Sequence, residues 1–310
     1  MNYRQFGKTE MQVSEIGLGA WQLANPDWGA TDSNEAVQIV QKSLDEGCNF
    51  FDTAPGYNRG KSEEFLGQVL KPVRQDVILC TKFGHSPEYV TDFSVGAIRP
   101  SLEGSLRRLQ TDYVDILLLH NPPSELMHGA SPQYAELEQL KQEGKIREFG
   151  VSLDDIDSMK TVLETTNSKA LEIYFNIFSQ DLATLFPLAE EKGVGLIVKV
   201  PLDSGWLTGK YNAASTFDGV RGRWPEEVIA RRGALVAQLQ AIIPDDQSLV
   251  HTALQYILAY PAISTIIPGG KTVAQALENI KAASNQLPQD TFDRICQLWE
   301  QELKDNPLPW

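Results

Sequence analysis

The stretch Asn49-Phe50-Phe51-Asp52-Thr53-Ala54-Pro55-Gly56-Tyr57 is an apolar run closed by an acid, then a turn that carries a tyrosine. An apolar run that ends on a polar residue returns at Cys80-Thr81-Lys82 and at Leu119-His120-Asn121-Pro122. Helix-period segments separate the three. Strands that each hand over to a helix build a parallel sheet. If the sheet closes into a barrel, the residues at its strand ends meet at one mouth. An Asp, a Lys, a Tyr and a His gathered there suit proton transfer to a carbonyl oxygen.

Outward from this stretch the alternation continues along the chain. Strands are predicted at 13–20, 49–54, 76–82, 114–120, 147–153, 171–177, 195–202 and 264–269. Several are unbroken Val/Ile/Leu/Phe runs, as in strands buried on both faces. Amphipathic helices are predicted over 34–46, 95–109, 133–143, 154–164 and 272–283, with Ser33, Ser94, Ser131-Pro132 and Thr272 at their starts. Gly47, Gly144 and Gly193 stand at helix ends. Eight strand–helix units define one (β/α)8 barrel over residues 1–310, with a short N-terminal β-hairpin cap and added C-terminal helices. A doubly wound dinucleotide fold is disfavoured, because Gly17-Leu18-Gly19 lacks the third glycine and the ribose acid. Two segments exceed the repeat: a loop at 203–224 leading to a helix at 225–239, and a helix at 290–303.

Composition narrows the function. The chain has 310 residues, 42% hydrophobic and 22% charged, the balance of an ordinary globular protein. A net charge of −14 argues against nucleic acid and anionic membranes as partners. No apolar stretch approaches the ~18 residues of a membrane helix, and Met1-Asn2-Tyr3-Arg4-Gln5 lacks a signal-peptide core. Cys48, Cys80 and Cys296 read as free thiols of a cytoplasmic protein. The four histidines (His85, His120, His128 and His251) form no metal-ligand spacing, so no metal is expected. Nothing in the sequence sets an oligomeric state.

At the mouth, Asp52 is expected to keep Lys82 charged, and the ammonium to lower the Tyr57 phenol from its usual pKa of about 10. His120 is placed to donate a hydrogen bond to the same carbonyl oxygen.

With these residues in place, the chain resembles the aldo-keto reductase superfamily over about residues 3–284. The resemblance lies in Phe51-Asp52-Thr53-Ala54-Pro55-Gly56-Tyr57 followed by Gly60-Lys61-Ser62-Glu63-Glu64, in Thr81-Lys82, and in Tyr113-Val114-Asp115 with Leu119-His120. It continues in Gly144-Lys145-Ile146-Arg147 with Gly150-Val151-Ser152, in the segment from Pro201-Leu202 to Tyr211, and in Ile267-Pro268-Gly269-Gly270-Lys271 with Glu278-Asn279.

The resemblance implies a reductase with Asp52, Tyr57, Lys82 and His120 as catalytic residues and a small carbonyl compound as substrate. It implies NADP(H), with NAD(H) as the alternative, bound across the mouth. The nicotinamide end would involve Gly19, Trp21, Asp52, Ser152, Glu172 and Lys199, and the pyrophosphate Pro201, Leu202, Ser204, Trp206, Leu207 and Lys210. Arg221, Gly269, Lys271, Thr272, Gln275 and Asn279 would hold the adenosine phosphate. Trp21 and Trp206 are candidate aromatic walls.

The chain departs from the family pattern where the nicotinamide would sit. Leu153 follows Ser152 where Asn is usual, Glu172 replaces a Gln, and Lys199 replaces an aromatic ring. Gln275 stands where many relatives carry Arg, and Asn58 where many carry Gly. Glu172 and Lys199, on adjacent strands, are expected to pair. The altered seat also leaves a second reading, a dinucleotide-binding sensor with little turnover.

Overall fold

The computed structural model describes residues 1–23, 25, 33–219, 222–244 and 247–309, so Arg221 lies outside the described residues. A hairpin, β1 (Tyr3–Gln5) and β2 (Gln12–Ser14), precedes an eight-stranded parallel sheet. In sheet order the strands are β3 (Leu18–Gly19), β4 (Phe50–Asp52), β5 (Ile78–Phe83), β6 (Val114–His120), β7 (Ile146–Leu153), β8 (Ala170–Tyr174), β9 (Gly195–Lys199) and β10 (Ile263–Ile266). The sheet closes where Ile266 donates to the Glu15 carbonyl at 3.0 Å and Gly17 donates to the Ile266 carbonyl at 2.8 Å. The expected (β/α)8 barrel is present.

The helices are α1 (Ser33–Asp45), α2 (Lys61–Leu70), α3 (Val95–Leu109), α4 (Gln133–Gln142), α5 (Ile156–Thr165), α6 (Phe186–Lys192), α7 (Glu226–Ile242), α8 (Leu249–Leu258), α9 (Val273–Lys281) and α10 (Gln289–Glu302). Side chains accept from orphan amides at the starts of α5, α8 and α9: Asp155 from Ser158 N at 2.9 Å, Ser248 from His251 N at 3.5 Å and Thr272 from Gln275 N at 3.2 Å, whereas the expected Ser94 makes no such cap on α3. Helices α7 and α10 are the additions to the repeat, and they pack on each other. The predicted 171–177 strand ends earlier, at Tyr174, because Asn176 and Ser179 exchange backbone hydrogen bonds in a tight turn.

Period-two alternation sorts the strand residues into two populations. Phe51, Leu79, Leu117, Leu119, Val151, Leu171, Ile173, Leu196 and Val198 join the large core beneath the helices. Phe50, Ile78, Cys80, Ile116, Leu118, Ala170 and Ile197 form a second cluster with Phe6, Met11 and Val13 of the hairpin segment. The hairpin therefore stoppers the N-terminal end of the barrel. Phe6 stacks on Phe50 at 6.4 Å between ring centroids, and its ring lies 2.6 Å from where a Cβ on Gly195 would stand, so β9 must begin with glycine.

Candidate active site

One step further along the same inward rows the apolar filling stops. Asp52, Lys82, His120, Ser152, Glu172 and Lys199 follow Phe50, Cys80, Leu118, Gly150, Ala170 and Ile197 by two residues each. Asp52, Lys82 and Glu172 are buried, each at 2% exposure or less. Lys82 Nζ lies 2.5 Å from Asp52 Oδ2 and 3.1 Å from Glu172 Oε2, and it donates to the Thr53 carbonyl at 3.1 Å. Ligand atoms of Asp52, Cys80 and Glu172 fall within 4.8 Å of one another, but the cation between the two carboxylates is the Lys82 ammonium.

Tyr57 reaches the mouth from the turn after β4, where Asn58 and Arg59 adopt left-handed conformations (φ 46° and 55°). Its ring centroid is 5.3 Å from Lys82 Nζ. Trp21 stacks on it at 5.8 Å and 23°, and His120 meets it edge-on at 6.0 Å. His85 contacts His120 at 5.2 Å between rings, and its Nε2 is 3.1 Å from the His120 carbonyl. The four expected catalytic residues are thus brought together, with Trp21 beside them.

Burial dominates the proton affinities. The Tyr57 phenol is pushed above its ordinary value of 10.0 by burial; the Lys82 ammonium pulls it down, and the Asp52 and Glu172 charges push it up again. The expected net lowering by Lys82 does not occur, because burial outweighs the pull of the ammonium and the Asp52 and Glu172 charges oppose it further. Burial and then the Glu172 charge raise Asp52 to about 8, against the attraction of Lys82. Burial also raises Glu172, but the ammonium groups of Lys82 and Lys199 outweigh it and hold that carboxyl low. His120 is driven well below its usual range by burial and by Lys82, Lys199 and His85, so its ring is neutral.

The expected Glu172–Lys199 pair is not formed. Strand register sets Glu172 opposite Ile197, which leaves Lys199 a full two-residue step higher, about 6.6 Å along the strand. Lys199 instead meets Asp154 at 2.8 Å, Ser152 Oγ at 2.8 Å and Asn121 Oδ1 at 3.0 Å. Ser152 Oγ is also 3.0 Å from Glu172 Oε1 and links the two groups indirectly. Glu172 Oε2 is buried and lacks an aligned hydrogen-bond donor, its contact with Lys82 being purely ionic.

The loop after β9 follows Lys199, Pro201 and Leu202. Val200, Asp203, Ser204 and Gly205 all have positive φ (52°, 44°, 54° and 100°), and for a β-branched residue such as Val200 that is a costly conformation. Trp206 is not an aromatic wall of the mouth. It is fully buried in a cluster with Tyr211, Phe217 and Trp224, aromatic residues of its own loop. Leu207 is likewise in the core, Lys210 is exposed over the Tyr211 ring, and Ser204 stays partly exposed. Asp203 is paired with the fully buried Arg232 of α7.

On the opposite rim, Gly19 N donates to the Pro268 carbonyl at 3.4 Å, which joins β3 to the turn leading into α9. Gly269 is pressed against Gln22, Asn279 donates to the Gly269 carbonyl at 3.4 Å, and Gln275 Oε1 accepts from Lys271 N at 2.9 Å. Glu35 of α1 accepts from Val273 N at 2.8 Å, so a carboxylate already sits at the first amide of α9. His85, Asn121, Asp154, Glu35 and Gln22 are site residues that sequence reasoning did not select. A signal existed only for His85, two residues past the β5 end, and for Asn121, directly after His120.

A parallel barrel with an Asp–Lys–Tyr–His group at its C-terminal mouth defines a class of oxidoreductases. The sequence profile of the aldo/keto reductase family matches residues 15–300, and the chain belongs to that family. It is 34% identical to L-galactose dehydrogenase of Arabidopsis thaliana (96% of this chain, 94% of the relative). It is 29% identical to an NADH-specific methylglyoxal reductase of Escherichia coli (91% and 93%). An aldo-keto reductase of Bacillus halodurans in its holo form superposes with a TM-score of 0.83, at 30% identity and 96% coverage of both chains. The protein is an NAD(P)H-dependent oxidoreductase. Two features of the mouth fit a nicotinamide dinucleotide. The orphaned Glu172 Oε2 suits a carboxamide N–H, and the strained 200–205 segment borders the same opening. No helix among the described residues is long and apolar enough to cross a membrane.

Proposed function

We propose that residues 1–310 act as one catalytic unit, a cytoplasmic NADPH-dependent reductase of aldehydes or ketones in which Tyr57 gives its proton to the carbonyl oxygen. The observation that carries this reading is the buried Lys82 ammonium, held between Asp52 and the Tyr57 ring at the barrel mouth. A bound nicotinamide dinucleotide supplies the hydride. Tyr57, protonated through the neutral range, delivers its hydroxyl proton as the oxygen gains charge, and Lys82 stabilises the phenolate left behind. The neutral His120 ring has one N–H, which donates to the same oxygen and orients the carbonyl. Trp21, stacked on Tyr57, excludes water from one side. Glu172 and Ser152 hold the carboxamide, the 201–210 segment the pyrophosphate, and the α9 N-terminus with Gly269 and Asn279 the adenosine end. Arg221 belongs to this set by sequence alone.

One observation favours NAD(H) over NADP(H). Lys271 and Thr272 suit a 2′-phosphate, but the Glu35 carboxylate on Val273 N opposes one. The name of the Escherichia coli relative carries that specificity too. The test follows oxidation of NADPH and NADH against a panel of aldehydes and ketones for wild type and Tyr57→Phe. The variant is expected to lose roughly 10²–10⁴-fold in kcat. Equal rates would remove Tyr57 from the chemistry.

A further inference from the structure

Lys82 has three N–H groups. One goes to Asp52 at 2.5 Å and one to the Thr53 carbonyl at 3.1 Å, which leaves a single N–H side open. Two groups face the ammonium charge on that side: Glu172 Oε2, in ionic contact at 3.1 Å, and the Tyr57 phenol, whose ring centroid is 5.3 Å away. All of this lies in a buried pocket, where the Asp52, Lys82 and Glu172 side chains are at most 3% exposed. At such a site a unit charge acts far more strongly than in water. The family pattern that the sequence resembles has a neutral Gln here, and this chain has a carboxylate.

We propose that Glu172 is a positioning residue for the proton donor: as the second counter-ion of Lys82, it divides that ammonium and keeps Tyr57 protonated into alkaline solution. The inference rests on the reading of Tyr57 as the donor. The charged and titratable groups that face the phenol come from several strands. Asp52 on β4 and Glu172 on β8 flank Lys82 on β5. Cys80, beneath Lys82, stays a thiol because burial raises it well above its usual value. His120 on β6 is neutral, and beyond it His85 contacts its ring. Lys199 on β9 is paired with Asp154 after β7. Among the described residues at the mouth, the second carboxylate on Lys82 is the charge that shares its partner instead of having a separate one. Removing it therefore leaves the phenol as the one claimant on the side of the ammonium that Glu172 now faces, whereas the Asp52 contact and the fold around Ser152 are retained by an amide of the same shape.

The experiment is a spectrophotometric titration of tyrosinate absorbance in the free protein. Tyr57 is isolated as the difference between a protein and its Tyr57→Phe counterpart, in wild-type and Glu172→Gln backgrounds. A neighbouring unit charge moves a buried group by roughly 1–3 pH units, so Tyr57 is expected to titrate about one unit or more lower in Glu172→Gln. Glu172→Asp, which keeps the charge, is expected to restore a midpoint near that of wild type. The alkaline limb of kcat/KM for reduction moves with the titration. An unchanged Tyr57 midpoint in folded Glu172→Gln overturns the inference. If that variant does not fold, Glu172→Met carries the same expectation and the same refutation. The titration needs no turnover, so a failure of Tyr57 as proton donor would appear separately, as unchanged activity in Tyr57→Phe.

Discussion

The two ends of one barrel are built from the same strands and differ by a single two-residue step. At the N-terminal end Phe6, Met11, Val13, Phe50 and Ile78 close the interior with apolar side chains. At the C-terminal end Asp52, Lys82 and Glu172 occupy the next inward positions, as deeply buried as the residues below them. Depth is therefore not what separates core from site. The lower end gains from removing carbon surface from water. The upper end pays for removing charge from water and recovers that cost through the mutual contacts of Asp52, Lys82 and Glu172 and their hydrogen bonds with Thr53 and Ser152.

The largest test of this contrast is Lys82→Met. It leaves two buried carboxylates without their cation, and kcat for reduction is expected to fall at least as far as in Tyr57→Phe. Removing one partner of a buried ion pair costs roughly 3–5 kcal/mol. The pH dependence has a definite sign. Without the ammonium, Asp52, already raised to about 8, and Glu172 both hold protons in the folded state that the unfolded chain releases near 4. Stability of the variant should be greatest in acid and fall as pH rises through the folded values. Urea midpoints at pH 5 and pH 8 check this, and a higher midpoint at pH 8 would refute it.

Phe6→Ala strikes the opposite end. Its ring is fully buried against Phe50 and Gly195, and truncation is expected to cost about 3–5 kcal/mol of stability. The folded fraction should keep the wild-type kcat, measured below the unfolding transition, since the stopper lies at the opposite end of the strands from the mouth. A proportional loss of kcat would mean that the two ends are coupled.

Glu35→Gln is the smallest of these effects and concerns only the rim. Removing a carboxylate from the first amide of α9 changes the local field by about 0.3–1 kcal/mol for an added phosphate. The ratio of dissociation constants for NADPH and NADH, read by quenching of protein fluorescence, should shift about two- to fivefold toward NADPH. An unchanged ratio would place the 2′-phosphate away from Glu35.

Much of the barrel was legible because its signals are local. The runs ending at Asp52, Lys82 and His120 marked strand, turn and mouth with no knowledge of neighbours. Glu172 and Lys199 illustrate the limit. Both were recognised as unusual, yet the partner of each depended on register, and a one-step difference in height gave Glu172 to Lys82 and Lys199 to Asp154. Trp206 was misplaced for a related reason: an aromatic residue in a long loop has no periodicity to say which way it packs. Glu35 and Val273 are far apart in the chain, and no pattern within either segment points to the other.

The order of residues by itself determined the parallel barrel and the polar residues Asp52, Lys82 and His120 at its mouth, because alternation and strand-end chemistry are written in neighbouring positions. Only the tertiary structure decided which charges share a partner and how they shift the phenol. Those energies depend on distance across the barrel and on exclusion of water, and neither is a property of any one segment.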